Sequence, residues 1–254
     1  MDLKLQGKRA LITGATRGIG RAIAERLAAE GCAVAICARH GAEVEAAVAA
    51  LKGAGAGAVG RALDVRDREA LQGWIGDVIR EQGGLDILVA NASGFAQGPS
   101  PEAFRTGFEV DLMHTVNAVE AALPALERSA AGAIVAIASI SGVEDYGYGD
   151  VSYGAMKASL LFYVKSLARH LASKGIRANV VSPGTTYFEG GFWHRAEREE
   201  PALFAEAMRE NPLGRMGTPE EIANVVAFVA SPMASFVTGA NLVVDGGYTR
   251  RIQN

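Results

Sequence analysis

Short apolar runs recur along the chain at residues 9–12, 33–38, 59–63, 85–90, 133–138, 177–181 and 241–244. Within most of them the apolar residues are nearly continuous instead of alternating, as a strand requires when helices cover both of its faces. Between the runs, apolar residues fall three and four apart. The clearest case is 153–173, where Met156, Leu160, Val164, Leu167 and Leu171 mark one helical stripe and Gly175 follows as a stop. Strand and helix in alternation predict an α/β fold, a doubly wound parallel seven-stranded sheet with helices on both faces. The Gly/Ala-rich stretch 52–60 is too short to link two domains. The rhythm breaks only at 183–217, which starts with glycines, threonines and aromatics and becomes charged and helical after Pro201, a residue suited to a first helical turn. A single domain over 1–254 with a lid at about 185–215 accounts for the whole pattern.

The first run leads through Thr13-Gly14-Ala15-Thr16-Arg17-Gly18-Ile19-Gly20 into a helix over 21–30. Glycines at a strand-to-helix turn let backbone N–H groups and the positive end of the helix meet a pyrophosphate. The spacing G-x-x-x-G-x-G differs from the commoner G-x-G-x-x-G, and a purely structural turn is the alternative. In NAD-binding chains an acid about 20 residues further on bonds the ribose 2′-hydroxyl. Here no acid lies between Glu30 and Glu43, and the second run ends in Arg39. Arg39 with Arg17 can pair with a 2′-phosphate, which favours NADP(H) over NAD(H) unless Arg39 only solvates the strand end.

Tyr153 and Lys157 stand four apart at the start of the strongest helix and so share one face. A phenol with a pKa near 10 is a poor base at neutral pH, but a cation roughly 5 Å away lowers it by about 2.4 units. Ser139 ends the fifth run, fourteen residues earlier, at the sheet edge where open α/β folds bind ligands. Its hydroxyl can hold a substrate oxygen while Tyr153 exchanges the proton. His114, His170 and His194 lie in other segments, and His40 lies by the nucleotide turn, so nothing marks Ser139 as a hydrolase nucleophile. No metal is expected.

With these residues in order, the chain resembles the short-chain dehydrogenase/reductase family over nearly its whole length, and its 3-oxoacyl carrier-protein reductase-like members in particular. The matching positions are Thr13-Gly14-x-x-x-Gly18-x-Gly20, Asp64-Val65, Asn91-Ala92-Ser93-Gly94, Ser139, Tyr153 with Lys157, and Pro183-Gly184. The resemblance implies a Rossmann-like fold and hydride transfer between a nicotinamide cofactor and a ketone or secondary alcohol. It implies that Asp64 and Val65 meet the adenine, that Asn91 with Ala92 lies by the central ribose, and that Lys157 holds the nicotinamide ribose. Pro183-Gly184 would border the nicotinamide, and Ser139 and Tyr153 would bind the reacting oxygen.

Three departures qualify the likeness. Asp111, in Val110-Asp111-Leu112, stands where the family has an asparagine that holds a water of its proton relay. An ionised aspartate accepts hydrogen bonds but donates none. The expectation is a relay surviving in altered form with Asp111 catalytic, against the alternative of a plain helix residue. Ser93 is inserted relative to the usual N-A-G, and the family's threonine after Pro183-Gly184 is displaced, leaving Thr185 and Thr186 as nicotinamide contacts.

Composition adds exclusions. Twenty-five Lys and Arg against 28 Asp and Glu give a net charge of −3, with no basic excess for nucleic acid or an anionic membrane. Cys32 and Cys37 read as buried packing in a reducing compartment. No apolar run approaches the roughly 20 residues of a membrane span, and Met1-Asp2-Leu3-Lys4 lacks a signal core, so a cytoplasmic protein is expected. Tyr187, Phe188, Phe192 and Trp193 concentrate aromatics in a chain where they make up only 7%. They would cap an apolar or aromatic small-molecule carbonyl or alcohol, with Val143, Tyr146 and Tyr148 as another wall, or else anchor the loop. Glu144 and Asp145 would favour a cationic substrate group or be a solvated loop, and Arg128 and Lys174 an acidic carrier protein or be scattered surface cations. Family likeness further implies a homotetramer or dimer. The competing reading is a non-catalytic dinucleotide-binding regulatory protein, which the Asp111 departure keeps open.

Overall fold

The computed structural model describes residues 2–252, apart from the Tyr148 side chain. Its strands are β1 (Arg9–Thr13), β2 (Ala33–Ala38), β3 (Ala58–Ala62), β4 (Ile87–Ala90), β5 (Ala133–Ile137), β6 (Arg177–Pro183) and β7 (Asn241–Val244). They form one seven-stranded sheet in the order 3-2-1-4-5-6-7, with every neighbouring pair parallel. The order reverses between β1 and β4, which opens a crevice at the carboxyl ends of those strands.

The helices are α1 (Gly18–Ala29), α2 (Gly41–Gly53), α3 (Arg68–Gln82), α4 (Pro101–Gly107), α5 (His114–Leu126), α6 (Val151–Leu171), α7 (Phe192–Glu199), α8 (Pro201–Glu210) and α9 (Pro219–Ala230). Successive strand residues go to opposite faces. Ala10, Ile12, Val34 and Ile36 pack with Ile23 and Leu27 of α1, Leu51 of α2 and Val226 of α9. Leu11, Ala35, Leu88 and Ile134 pack with Trp74 of α3, Ala118 of α5 and Val164 of α6. Both faces are therefore dry, which is why the central runs read as nearly continuous apolar residues.

Two local features differ from the sequence reading. The lid holds two helices instead of one: Pro201 does open α8, but α7 precedes it, with Phe192 and Trp193 in its first turn. Between α4 and α5 the chain forms a π-helical turn, Phe108–Met113, which carries Asp111. Such turns widen a helix by one residue and re-aim the side chains on it. Among the described residues no helix is long and apolar enough to cross a membrane.

Candidate active site

The glycine turn ends β1 and opens α1. Arg17 caps α1 with extended backbone and no side-chain cap bond, and no acid lies in the helix's first turn. α1 thus supplies no acid of its own to its positive end, and the residues of the turn fit a cofactor pyrophosphate there. Gly20 cannot carry a side chain, because a Cβ would stand 2.3 Å from both the Gly14 carbonyl and Asn91 Nδ2. Asn91, just beyond β4, donates both of its amide hydrogens to the turn, to the carbonyls of Thr13 and Gly14 at 2.9 Å. The Thr13 hydroxyl accepts from the backbone N–H of Asn91 and of Ala92 at 3.0 and 3.1 Å. Its own hydrogen is then left for His114 Nε2, 3.1 Å away, and Nδ1 of that ring carries the proton toward the Val110 carbonyl. Burial lowers the His114 pKa to about 4, so this ring is neutral. His114 therefore bolts the nucleotide turn to the π-helical turn.

The catalytic candidates meet at the carboxyl ends of β5 and β6. Ser139 Oγ accepts the Ser141 N–H at 3.1 Å and so caps a 3₁₀ turn, Ile140–Gly142. That turn lies flush on α6, since a Cβ at Gly154 would stand 2.7 Å from the Ser141 carbonyl oxygen. The close approach sets Ser139 beside Tyr153. Lys157, one turn along α6, points its ammonium at the Tyr153 ring, 5.5 Å from the centroid. Lys157 Nζ also donates to the Ile137 carbonyl at 3.0 Å and stands 2.9 Å from Asp111 Oδ1. Asp111 Oδ2 accepts the Gly94 N–H at 3.1 Å, whereas Oδ1 lies off the hydrogen-bonding direction of the ammonium and has no other partner.

The electrostatics reverse one expectation. Burial raises the Tyr153 pKa, Lys157 lowers it and Asp111 raises it again, and the sum lies above the ordinary phenol value of 10.0. The reading from spacing counted the lysine and omitted both the burial and the carboxylate. For Lys157, burial works against the charge but Asp111 outweighs it, and the ammonium is held charged.

A cleft of about 750 Å³ joins the two halves of the site. Gly14, Arg17, Ile19, Gly20 and Asn91 line one end; Ser139, Tyr153, Lys157, Pro183, Gly184, Thr185 and Thr186 line the other. Arg39, Asp64 and Val65 lie outside this cleft, beyond the ends of β2 and β3. Asp64 is held below its ordinary value by Arg66, which bonds it at 2.6 Å, with a smaller contribution from Arg39. Arg17 and Arg39 are exposed, and among the described residues neither has an ion-pair partner. Thr16 donates to Glu43 Oε2 at 3.0 Å, so an exposed carboxylate borders the region expected to take a 2′-phosphate. Thr185 is buried and tied to Asn211, whose Nδ2 donates to its hydroxyl at 2.9 Å; the Thr186 hydroxyl donates to the Gly184 carbonyl at 3.2 Å.

Above Tyr153 the aromatics form a chain. Phe95 meets Tyr153 edge-on with centroids 4.9 Å apart, Phe192 lies 5.2 Å from Phe95, and Trp193 5.0 Å from Phe192. Phe188 lies over the glycine turn, where a Cβ on Gly18 would come within 2.6 Å of its ring. Tyr146 lines the cleft, Val143 does not, and the Tyr148 side chain lies outside those described. Tyr187 turns its hydroxyl to Glu197 at 2.5 Å, and Lys174 is paired with Glu127 at 2.6 Å. His114, Phe95, Asn211 and Glu43 escaped the sequence reading of this site. Only Glu43 carried a signal there, as the first acid after the second run.

Residues 14–249 fit the family model described as enoyl-(acyl carrier protein) reductase. The chain belongs to the short-chain dehydrogenase/reductase family. Isoepoxydon dehydrogenase of Penicillium expansum is 39% identical over 246 residues, covering 96% of this chain and 95% of that protein. Cyclohexanol dehydrogenase of a Rhodococcus species is 37% identical, covering 98% of each. The 3-oxoacyl-[acyl-carrier-protein] reductase of Escherichia coli is 36% identical, covering 96% of this chain and 98% of the reductase. The crystal structure of a short-chain dehydrogenase/reductase from Burkholderia xenovorans superposes with a TM-score of 0.91 at 32% identity, over 98% of this chain and 99% of that one. This family member is an oxidoreductase acting on alcohol or ketone groups, with a nicotinamide dinucleotide as the cofactor.

Proposed function

We propose that this oxidoreductase uses NADP(H) to interconvert a ring-borne secondary alcohol and its ketone, with Tyr153 as the acid/base. The observation that carries this reading is the meeting of Ser139, Tyr153 and Lys157 in one cleft with the uncapped glycine turn. The cofactor, when bound, supplies or accepts the hydride at the carbonyl carbon. Ser139 Oγ holds the carbonyl oxygen, and the Tyr153 hydroxyl gives that oxygen its proton as the carbon is reduced. Lys157 holds the nicotinamide ribose and keeps the phenol oriented, and Asp111 behind it belongs to the path by which Tyr153 regains a proton. Pro183, Gly184, Thr185 and Thr186 would border the nicotinamide of a bound cofactor. Ala92 and Asn91 would lie by its central ribose, and Asp64 and Val65 by its adenine. Gly14, Thr16, Gly18, Ile19 and Gly20 would cradle its pyrophosphate.

The ring preference rests on the apolar aromatic wall of Phe95, Phe192 and Trp193 beside Tyr153. The name of the cyclohexanol dehydrogenase, with its 98% coverage of each chain, points the same way. The NADP(H) preference rests on Arg17 and Arg39, exposed and without ion-pair partners among the described residues. Binding of both cofactors to wild type and Arg39→Asp tests it. The expected outcome is tighter binding of NADPH than NADH by wild type, with about a 30-fold or larger loss of NADPH affinity in the variant. Tighter NADH binding by wild type would overturn the preference.

The assembly we propose is a homotetramer, supported by two rings left in water on neighbouring elements, Phe108 at 47% and Phe162 at 79% exposure. Cys32 and Cys37 are buried and free, and burial pushes each thiol up to about 12, which suits the reducing cytoplasm we propose as its location.

A further inference from the structure

The charged and titratable groups facing Tyr153 come from four elements. Lys157 shares its helix, Asp150 precedes that helix, Ser139 caps the turn after β5, and Asp111 reaches in from the π-helical turn. His114, one turn beyond Asp111, is neutral. A lone ammonium beside a phenol draws it toward ionisation. Here the ammonium is not alone. Asp111 Oδ1 stands 2.9 Å from Lys157 Nζ, and the two side chains are 0% and 2% exposed, so water and salt screen neither charge.

The carboxylate is also fixed in place. Its other oxygen holds the Gly94 N–H, and the Asp111 backbone carbonyl accepts the Thr115 hydroxyl at 3.0 Å. Lys157 is fixed in turn by the Ile137 carbonyl on β5. Tyr153 therefore faces a nearly neutral pair whose geometry is set by β5, the loop after β4 and the π-helical turn. An asparagine of the same shape would keep the Gly94 contact through its amide oxygen and leave the ammonium uncompensated.

We propose that Asp111 is a positioning residue acting through Lys157: by pairing with the ammonium it keeps Tyr153 in its proton-bearing form at neutral pH, ready to donate to a carbonyl oxygen. The proton passes from Tyr153 Oη to the substrate oxygen, and the hydride taken up by the carbon would come from a bound reduced nicotinamide. The phenolate left behind must recover its proton before the next turnover. Carbonyl reduction is then expected to stay active to higher pH than in an enzyme whose lysine is unpaired, and alcohol oxidation to need a more alkaline solution.

This proposal rests on the reading of Tyr153 as the acid/base, but its test needs neither substrate nor cofactor. Tyrosinate absorbance of the cofactor-free protein is titrated for wild type and Asp111→Asn, each minus its Tyr153→Phe counterpart, which isolates one phenol among the six. The isolated component is expected to titrate about one pH unit lower in Asp111→Asn than in wild type. Asp111→Ser, which also removes the charge, gives the same downward shift if the asparagine variant does not keep the native circular dichroism spectrum. An unmoved or raised midpoint in a natively folded variant overturns the proposal. Turnover by Tyr153→Phe at the wild-type rate would instead overturn the acid/base reading, a separate outcome.

Discussion

Phe95 is held at φ 43°, in the left-handed region that side chains avoid, at a cost of about 1 kcal/mol. Its backbone N–H donates to Ser93 Oγ at 3.1 Å, and its ring meets Tyr153 and Phe192. If that ring is a wall for the substrate, Phe95→Ala raises KM for a cyclic ketone by about tenfold and leaves kcat within about threefold, since the wall serves ground and transition states alike. Steady-state kinetics check this, and an unchanged KM would remove Phe95 from the substrate site. Phe95 was invisible in the sequence because its partners lie 58 and 97 residues away and no periodicity links them. Ser139, Tyr153 and the glycine turn were legible for the opposite reason: each sits in a short segment whose spacing carries its chemistry. The acidity of Tyr153 was not. Its direction depends on Asp111, brought to Lys157 by a π-helical turn that the apolar pattern does not mark.

At the level of elements, the seven strands were legible because both faces of the sheet are covered and the runs stand out as apolar blocks. The first lid helix was missed because α7 is short and its aromatic residues face the cleft in place of a core. The amino ends of the strands are joined by Asp86, ahead of β4. It accepts from Arg9 Nε at 2.8 Å and from the Ser129 hydroxyl at 2.6 Å, binding β1 to the turn before β5. Burial works against this charge, but Arg9 and Ser129 outweigh it and hold the carboxyl below its ordinary value of 3.8. Because the folded pKa is depressed, the stabilisation is present above the unfolded value and is lost as pH falls through the folded one. Asp86→Ala leaves the Arg9 guanidinium, 28% exposed, without its partner and is expected to cost about 2–3 kcal/mol at pH 7. Urea unfolding at pH 7 and again below about pH 4 checks it: the gap between wild type and variant should narrow in acid.

For the whole molecule, the apolar pattern predicts a single domain, and β1 and β7 stand in one seven-stranded sheet. The proposed homotetramer places Phe162 and Phe108 between subunits. Light scattering is expected to give a mass near four times the 26.5 kDa chain, and Phe162→Glu to reduce it. A wild-type mass near that of one chain would reject the tetramer. The central claim, that this molecule moves a hydride with Tyr153 supplying the proton, is tested most directly by NADPH oxidation with cyclohexanone and related cyclic ketones, in wild type and Tyr153→Phe. The account predicts turnover by wild type, and in the variant unchanged NADPH affinity with the rate reduced at least about 100-fold. A variant that consumes the same ketone at the wild-type rate would contradict it.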